Sequence, residues 1–202
     1  MTQIDKQTRK LAAIAYGEAS VADDPNEIGG IAYAVANRAR AWGGKTVDQL
    51  LAADPNYTYA VSDGNVRYQK LMDASDAQIA KNKGMTAALQ HAISALANTG
   101  TDPSNGAFWW DGLDFRTKAK HPKRKDGFYY GDEAHNIFNV DPVSKPVTIY
   151  WKVANKKTGK EVNSKVRGKY EYVWVSTAAH GQTIFWTHDS DYLEATGGKA
   201  YR

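Results

Sequence analysis

The stretch Leu11-Ala-Ala-Ile-Ala-Tyr-Gly-Glu18 decides how this chain is interpreted. Positions 11, 14, 15 and 18 are spaced i, i+3, i+4 and i+7, so they share one face of a helix. Glu18 is therefore expected on the apolar, core-facing stripe. A carboxyl group there loses hydration, which favours its uncharged acid form. A glycosidase needs such an acid, and the alternative is a buried glutamate with a structural role.

A second helix is expected to begin at Asp24. Asp24 can cap it, Pro25 occupies the first helical position, and Glu27 follows three residues after the cap. If the two helices pack as a hairpin, Glu27 folds back towards Glu18, and two carboxylates could divide the roles of acid and base. Glu27 could equally complete a capping box by bonding the cap amide. Asn37-Arg38, late in this helix, is interpreted as a surface or capping pair.

Composition excludes several classes of protein. The 202 residues fit one globular domain, and 42% apolar with 24% charged residues is ordinary for a chain with a core. The absence of cysteine excludes disulfides and thiolate zinc sites, and the five histidines lack an HExxH arrangement, so neither metal nor cofactor is expected. No apolar run reaches the roughly 18–20 residues that span a bilayer, so no membrane insertion is expected.

The net charge of +4 is compatible with an anionic polymer as partner. No RNA-binding aromatic signature is present, and nucleic acid is not expected as a partner. The basic stretch 118–125 is expected to be exposed.

The predicted secondary structure of the chain changes near residue 140. The part before it is predicted to be helical, with a long Gly-, Asp- and aromatic-rich loop region over residues 98–140. After Pro142, alternating apolar residues predict strands at Val147–Val153 and Lys169–Val175, and a third short strand at Thr183–Trp186. Two units are therefore predicted, residues 1–140 and a β-rich extension 141–202 that packs on the same domain.

Three blocks of sequence resemble the SleB-like cell wall hydrolases. Leu11–Ala19 together with Asn26–Arg38 is similar to the family pattern YxEAR followed by EGxxAVxxVxxNR. Tyr57–Gln69 is a weaker match, and Ala95–Trp109, with Asp-Pro-Ser-Asn-Gly-Ala-Phe-Trp at its end, is similar to the block AL.G..DPT.GAxxF. The chain departs from the pattern at Ser20, where the family usually has Arg.

The resemblance implies an α+β, mainly α fold: a lysozyme-like helical catalytic domain over residues 1–140 and an antiparallel β segment over 141–202. It also implies cleavage of peptidoglycan between N-acetylmuramic acid and N-acetylglucosamine, by hydrolysis or by lytic transglycosylation. Glu18 matches the family's catalytic glutamate, and Glu27 stands one residue away from its second one. The sugar-binding cleft is expected to contain Tyr16, Tyr59, Gln69 and Trp109. A non-catalytic glycan-binding module and a stem-peptide amidase are the alternatives.

The expected partners are peptidoglycan glycan strands, and these lie outside the cytoplasm. Met1–Lys10 is polar and shows no signal peptide. Action in the periplasm or cell wall is therefore expected after delivery by a secretion system or during phage lysis. A secreted effector would imply an immunity protein as a further partner.

Overall fold

A computed structural model describes residues 4–119, 121 and 125–202. The predicted basic stretch 118–125 lies partly outside the described residues, as does the start of the polar segment Met1–Lys10. The α-helices of the described residues are α1 Lys6–Glu18, α2 Pro25–Ala41, α3 Val47–Ala53, α4 Val66–Asp73, α5 Asp76–Ala80, α6 Lys83–Ala97, α7 Phe115–Lys118 and α8 Ser190–Thr196. In the described chain, no helix has the combined length and apolar character needed to cross a bilayer.

Side-chain caps set where the helices begin. Asp5 caps α1 by accepting hydrogen bonds from the amides of Gln7 and Thr8. Asp24 does the same for α2, and Thr46 forms a reciprocal capping box at α3. The start of α2 at Asp24 agrees with the prediction from the sequence, because caps depend on residues only two or three positions apart.

Six strands form two separate sheets in the described residues. They are β1 Trp109–Asp111, β2 Phe128–Tyr130, β3 Val147–Ala154, β4 Glu161–Tyr170, β5 Trp174–His180 and β6 Thr183–His188. One sheet has the order β1-β6-β5-β2, and the hairpin β3-β4 forms the other. Within the larger sheet β2 runs parallel to β5, whereas the other pairs are antiparallel.

The expectation of a mainly α, lysozyme-like fold is wrong. Helix accounts for 41% and strand for 19% of the structure, which is an α+β fold with a mixed sheet. The larger sheet combines β1 and β2 with β5 and β6, so the predicted boundary near residue 140 falls between strands of one sheet. The short strand β2 lies within the predicted loop region, because its partner β5 is far along the chain and three residues show no local periodicity.

The larger sheet separates two apolar cores. On one side, Phe185 and Ala178 pack with the core of α1, α2 and α6. On the other side, Ile184 and Trp186 pack with Phe115 and other aromatic residues. A Cβ at Gly30 would be 2.3 Å from the ring of Phe185, so this glycine lets α2 approach the sheet closely. The start of α2 consequently lies next to the turn between β5 and β6.

Candidate active site

Glu18 is the last residue of α1, and its side chain is half-buried. Its Oε1 accepts a hydrogen bond of 2.9 Å from the amide of Ala60 and another from the hydroxyl of Thr58. No described residue donates to Oε2, and no Lys or Arg of the described chain forms an ion pair with this carboxylate. One oxygen of Glu18 is therefore fixed by the protein, and the other is not engaged by it.

The loop between α3 and α4 holds the end of α1. Thr58 and Ala60 are buried, at 3% and 2% exposure. Asn65 donates from Nδ2 to the carbonyl of Gly17 at 3.0 Å, and a Cβ at Gly17 would be 3.1 Å from Asn65 and from Tyr68. The missing side chain at Gly17 thus allows close packing of the loop on the last turn of α1. This packing fixes the two donors beside Glu18.

Tyr57 connects the same loop to the sheet. Its hydroxyl donates to the carbonyl of Phe108 at 2.7 Å, and its ring meets Trp110 edge-on with centroids 5.2 Å apart. Burial raises the pKa of Tyr57 well above its usual value, although the positive charge of Arg38 acts in the opposite direction. Tyr57 is therefore a neutral hydrogen-bond donor that ties the Glu18 loop to β1.

Exposed aromatic and charged groups lie on and near the loop between α3 and α4. The side chain of Tyr59 is 62% exposed. The pKa of Lys118 is raised, chiefly by its hydrogen bond to Asp114, and Asp111 and Tyr59 contribute to the rise through their charges. Tyr59 of the loop and Asp111 of β1 therefore lie near enough to Lys118 of α7 to influence its pKa.

Glu27 lies in a different environment from Glu18. It is 1% exposed. Its Oε2 accepts from the hydroxyl of Ser20 at 2.5 Å, and its Oε1 accepts from the amide of Gln182 at 3.1 Å and the hydroxyl of Thr183 at 2.8 Å. Asp24 alone provides the side-chain cap of α2, so Glu27 does not complete a capping box. Oε1 of Glu27 therefore joins α2 to the β5–β6 turn, and Oε2 joins α2 to Ser20 in the loop between α1 and α2.

The residues predicted for the sugar-binding cleft lie in separate places. Tyr59 is in the loop that holds Glu18, and Gln69 is exposed on α4. Tyr16 is 3% exposed, and the guanidinium of Arg67 covers its ring at 3.8 Å. Trp109 is half-buried against Trp174 and His188, with ring centroids at 5.0 Å and 4.6 Å, and it lines a cavity of about 350 Å³.

Sequence reasoning missed the donors around both glutamates and the role of Arg38. Arg38 is buried, donates to Asp54 and to the carbonyl of Tyr201 at 2.8 Å each, and stacks on Tyr57 at 4.3 Å. The interpretation of Arg38 as a surface residue is therefore wrong. Its position next to the apolar stripe of α2 was the available signal, since charged residues are rarely buried unless they are paired. Thr58 and Ser20 gave no comparable signal.

Comparison with protein-family models, with curated proteins and with solved structures finds no match for this chain. In the part of the chain that the structure describes, no three His, Cys, Asp or Glu side chains come together as a possible metal site. The functional inference therefore depends on the geometry around Glu18.

Proposed function

We propose that this chain cleaves the glycan strands of peptidoglycan between N-acetylmuramic acid and N-acetylglucosamine, with Glu18 as general acid. The observation that supports this most directly is the asymmetry of the Glu18 carboxyl group. Oε1 is held by Thr58 and Ala60, whereas Oε2 has no donor among the described residues. A general acid needs an oriented carboxyl group with one oxygen available to the substrate.

In the proposed reaction the proton on Oε2 of Glu18 passes to the glycosidic oxygen as the bond from this oxygen to the sugar C1 breaks. The sugar ring acquires oxocarbenium character, and the carboxyl group becomes an anion. The hydroxyl of Thr58 and the amide of Ala60 already point at Oε1 and stabilise this developing charge. The two donors therefore favour the proton transfer without binding the sugar.

The burial and the hydrogen bonds of Glu27 favour a lytic transglycosylase as the second candidate function. Its carboxylate accepts three hydrogen bonds and is 1% exposed, so it is poorly suited to activate a water molecule. In the transglycosylase route a hydroxyl of the same muramic acid attacks C1 and returns its proton to Glu18, which closes an anhydro ring and restores the acid. This route needs one carboxyl group.

The test is mass spectrometry of sacculi incubated with the wild type, with Glu18→Gln and with Glu133→Gln, an exposed glutamate as the control. The wild type and the control are expected to release muropeptides, and Glu18→Gln to release none while still sedimenting with sacculi. Anhydro-muramic products would identify the transglycosylase, and reducing ends the muramidase. Equal release by Glu18→Gln would contradict the proposal. Binding without release by the wild type would support a glycan-binding module, and free amino groups would support an amidase.

The proposed site of action is the periplasm or the cell wall, because the proposed substrate is found there. An effector delivered to that compartment would need an immunity protein in its producer. Such a partner would be expected to cover Glu18 and the exposed Tyr59, since these are the groups that a glycan strand would have to reach.

A further inference from the structure

The positive charge of the chain is concentrated on the β3-β4 hairpin. Residues 145–169, here called the basic hairpin, contain eight Lys or Arg and one Glu, so their net charge is +7. The whole chain has 26 basic and 22 acidic residues, which leaves 18 basic and 21 acidic residues, or −3, for the remainder. The chain is thus a weakly acidic body with one strongly basic projection.

The basic hairpin also exposes apolar side chains, although exposure of apolar surface to water is unfavourable. Trp151 is 47% exposed and Tyr150 39% exposed. Val153 and Val162 are direct partners across the two strands and are 48% and 39% exposed. Apolar residues are therefore interspersed with cations along both strands.

The hairpin is fixed at one end and exposed at the other. Gly168 packs against Ala195 of α8, since a Cβ at Gly168 would be 2.6 Å from the Ala195 Cα. Residues 150–154 and 156–167 are all exposed. The turn is nevertheless ordered by hydrogen bonds from the Gly159 amide to the Asn155 carbonyl and from the Lys157 amide to the Asn155 side chain. The basic residues therefore lie on an ordered hairpin that is separate from the four-stranded sheet.

We propose that the basic hairpin docks on the surface of a bilayer that contains anionic lipids. Lys and Arg side chains near such a surface each contribute attraction to the lipid phosphates, and Trp and Tyr are favoured at the level of the headgroups. The guanidinium of Arg167 lies over the ring of Trp151 at 4.7 Å, yet Trp151, Val153 and Val162 stay exposed, and insertion at the level of the headgroups would remove their apolar surface from water. Polyphosphate, a linear polyanion without apolar groups, would bind the cations but would leave these three side chains in water.

Docking by the basic hairpin is independent of glycan cleavage, because Glu18 lies outside residues 145–169. Docking by the hairpin would hold the protein at a membrane surface without a spanning segment.

The test is sedimentation of the full chain with vesicles of phosphatidylglycerol and phosphatidylcholine, compared with phosphatidylcholine alone. The wild type is expected to bind only the anionic vesicles. The triple variant Lys156→Glu, Lys157→Glu and Lys160→Glu is expected to bind roughly a hundredfold more weakly, at about fivefold per lysine. The matched control is Lys70→Glu, Lys81→Glu and Lys83→Glu, which makes the same charge change at exposed positions in or next to helices and should bind within about twofold of the wild type.

A second measurement separates bilayer docking from binding to any polyanion. Brominated lipids are expected to quench Trp fluorescence in the wild type and to quench it less in Trp151→Phe. Equal losses of binding in the two triple variants, unchanged quenching in Trp151→Phe, or binding to polyphosphate without binding to vesicles would each overturn the proposal.

Discussion

The carboxylate of Glu27 occupies the space that a side chain on Gly181 would need. A Cβ at Gly181 would be 2.4 Å from Oε2 of Glu27, and Gly181 has a φ of +57°. The next two residues, Gln182 and Thr183, donate to Oε1 of the same carboxylate. The turn between β5 and β6 therefore folds around Glu27, and this contact joins the sheet to α2.

Gly181→Ala is expected to lower the free energy of unfolding by about 3 kcal/mol. The left-handed backbone contributes about 1 kcal/mol, and the contact with buried Glu27 contributes about 2 kcal/mol more. Gly159→Ala is the matched control, because Gly159 has a φ of +69° with nothing within 4 Å of its Cβ. Urea unfolding should show a loss of about 1 kcal/mol for the control. Equal losses in the two variants would mean that the turn moves away from Glu27 at little cost.

Glu27→Gln distinguishes a structural glutamate from a catalytic base. The amide group of Gln cannot accept on both sides, so a loss of about 1–3 kcal/mol in the free energy of unfolding is expected. If Glu27 only positions the turn, muropeptide release per folded molecule should fall less than about tenfold, whereas removal of a general base costs about 10²–10⁴-fold. Release assays at a temperature where circular dichroism shows the variant folded would decide between the two roles.

The sequence was sufficient where the determining contacts are local. Asp24 with Pro25 defines the start of α2, and Thr46 defines the start of α3, because each cap bonds amides within three residues. The i, i+3, i+4 spacing likewise predicts buried positions for Leu11, Ile14 and Ala15 of α1. Each of these inferences needs one turn of helix and no tertiary partner.

The sequence was insufficient where distant residues decide the structure. The alternation over Lys169–Val175 predicts one strand, but β4 ends at Tyr170 and β5 begins at Trp174. β4 pairs with β3, whereas β5 pairs with β6. The alternation of apolar residues gives no information about where the chain changes its partner strand. The donors to Glu18 come from about 40 residues further along the chain, and helical spacing gives no information about them.

Thr58→Val tests whether the fixed oxygen of Glu18 matters for catalysis. The substitution keeps the shape of the side chain and removes the hydroxyl that donates to Oε1. We expect kcat to fall by about 10–100-fold with little change in KM, since the hydroxyl stabilises charge that develops at the transition state. Thr58→Ser, which retains the hydroxyl, should recover most of the activity. A loss of the same size in both variants would instead indicate a packing role for Thr58.

His188 is expected to make the protein less stable as the pH falls from about 7 to about 5. Burial lowers the pKa of His188 below the 6.5 of an unperturbed histidine, although a hydrogen bond with the backbone of Lys199 acts in the opposite direction. In this range the unfolded chain binds the proton more tightly than the folded one, so stability is lost as the pH falls through 6.5 and towards the folded pKa. His188→Phe retains an aromatic ring against Trp109 and Trp174 and removes this titration. Urea unfolding at the two pH values should therefore show a smaller loss in His188→Phe than in the wild type. Burial also lowers the pKa values of His91 and His135, so the variant should reduce the pH dependence without abolishing it. An identical loss in the wild type and His188→Phe would show that the ring of His188 takes up its proton without opposing the fold.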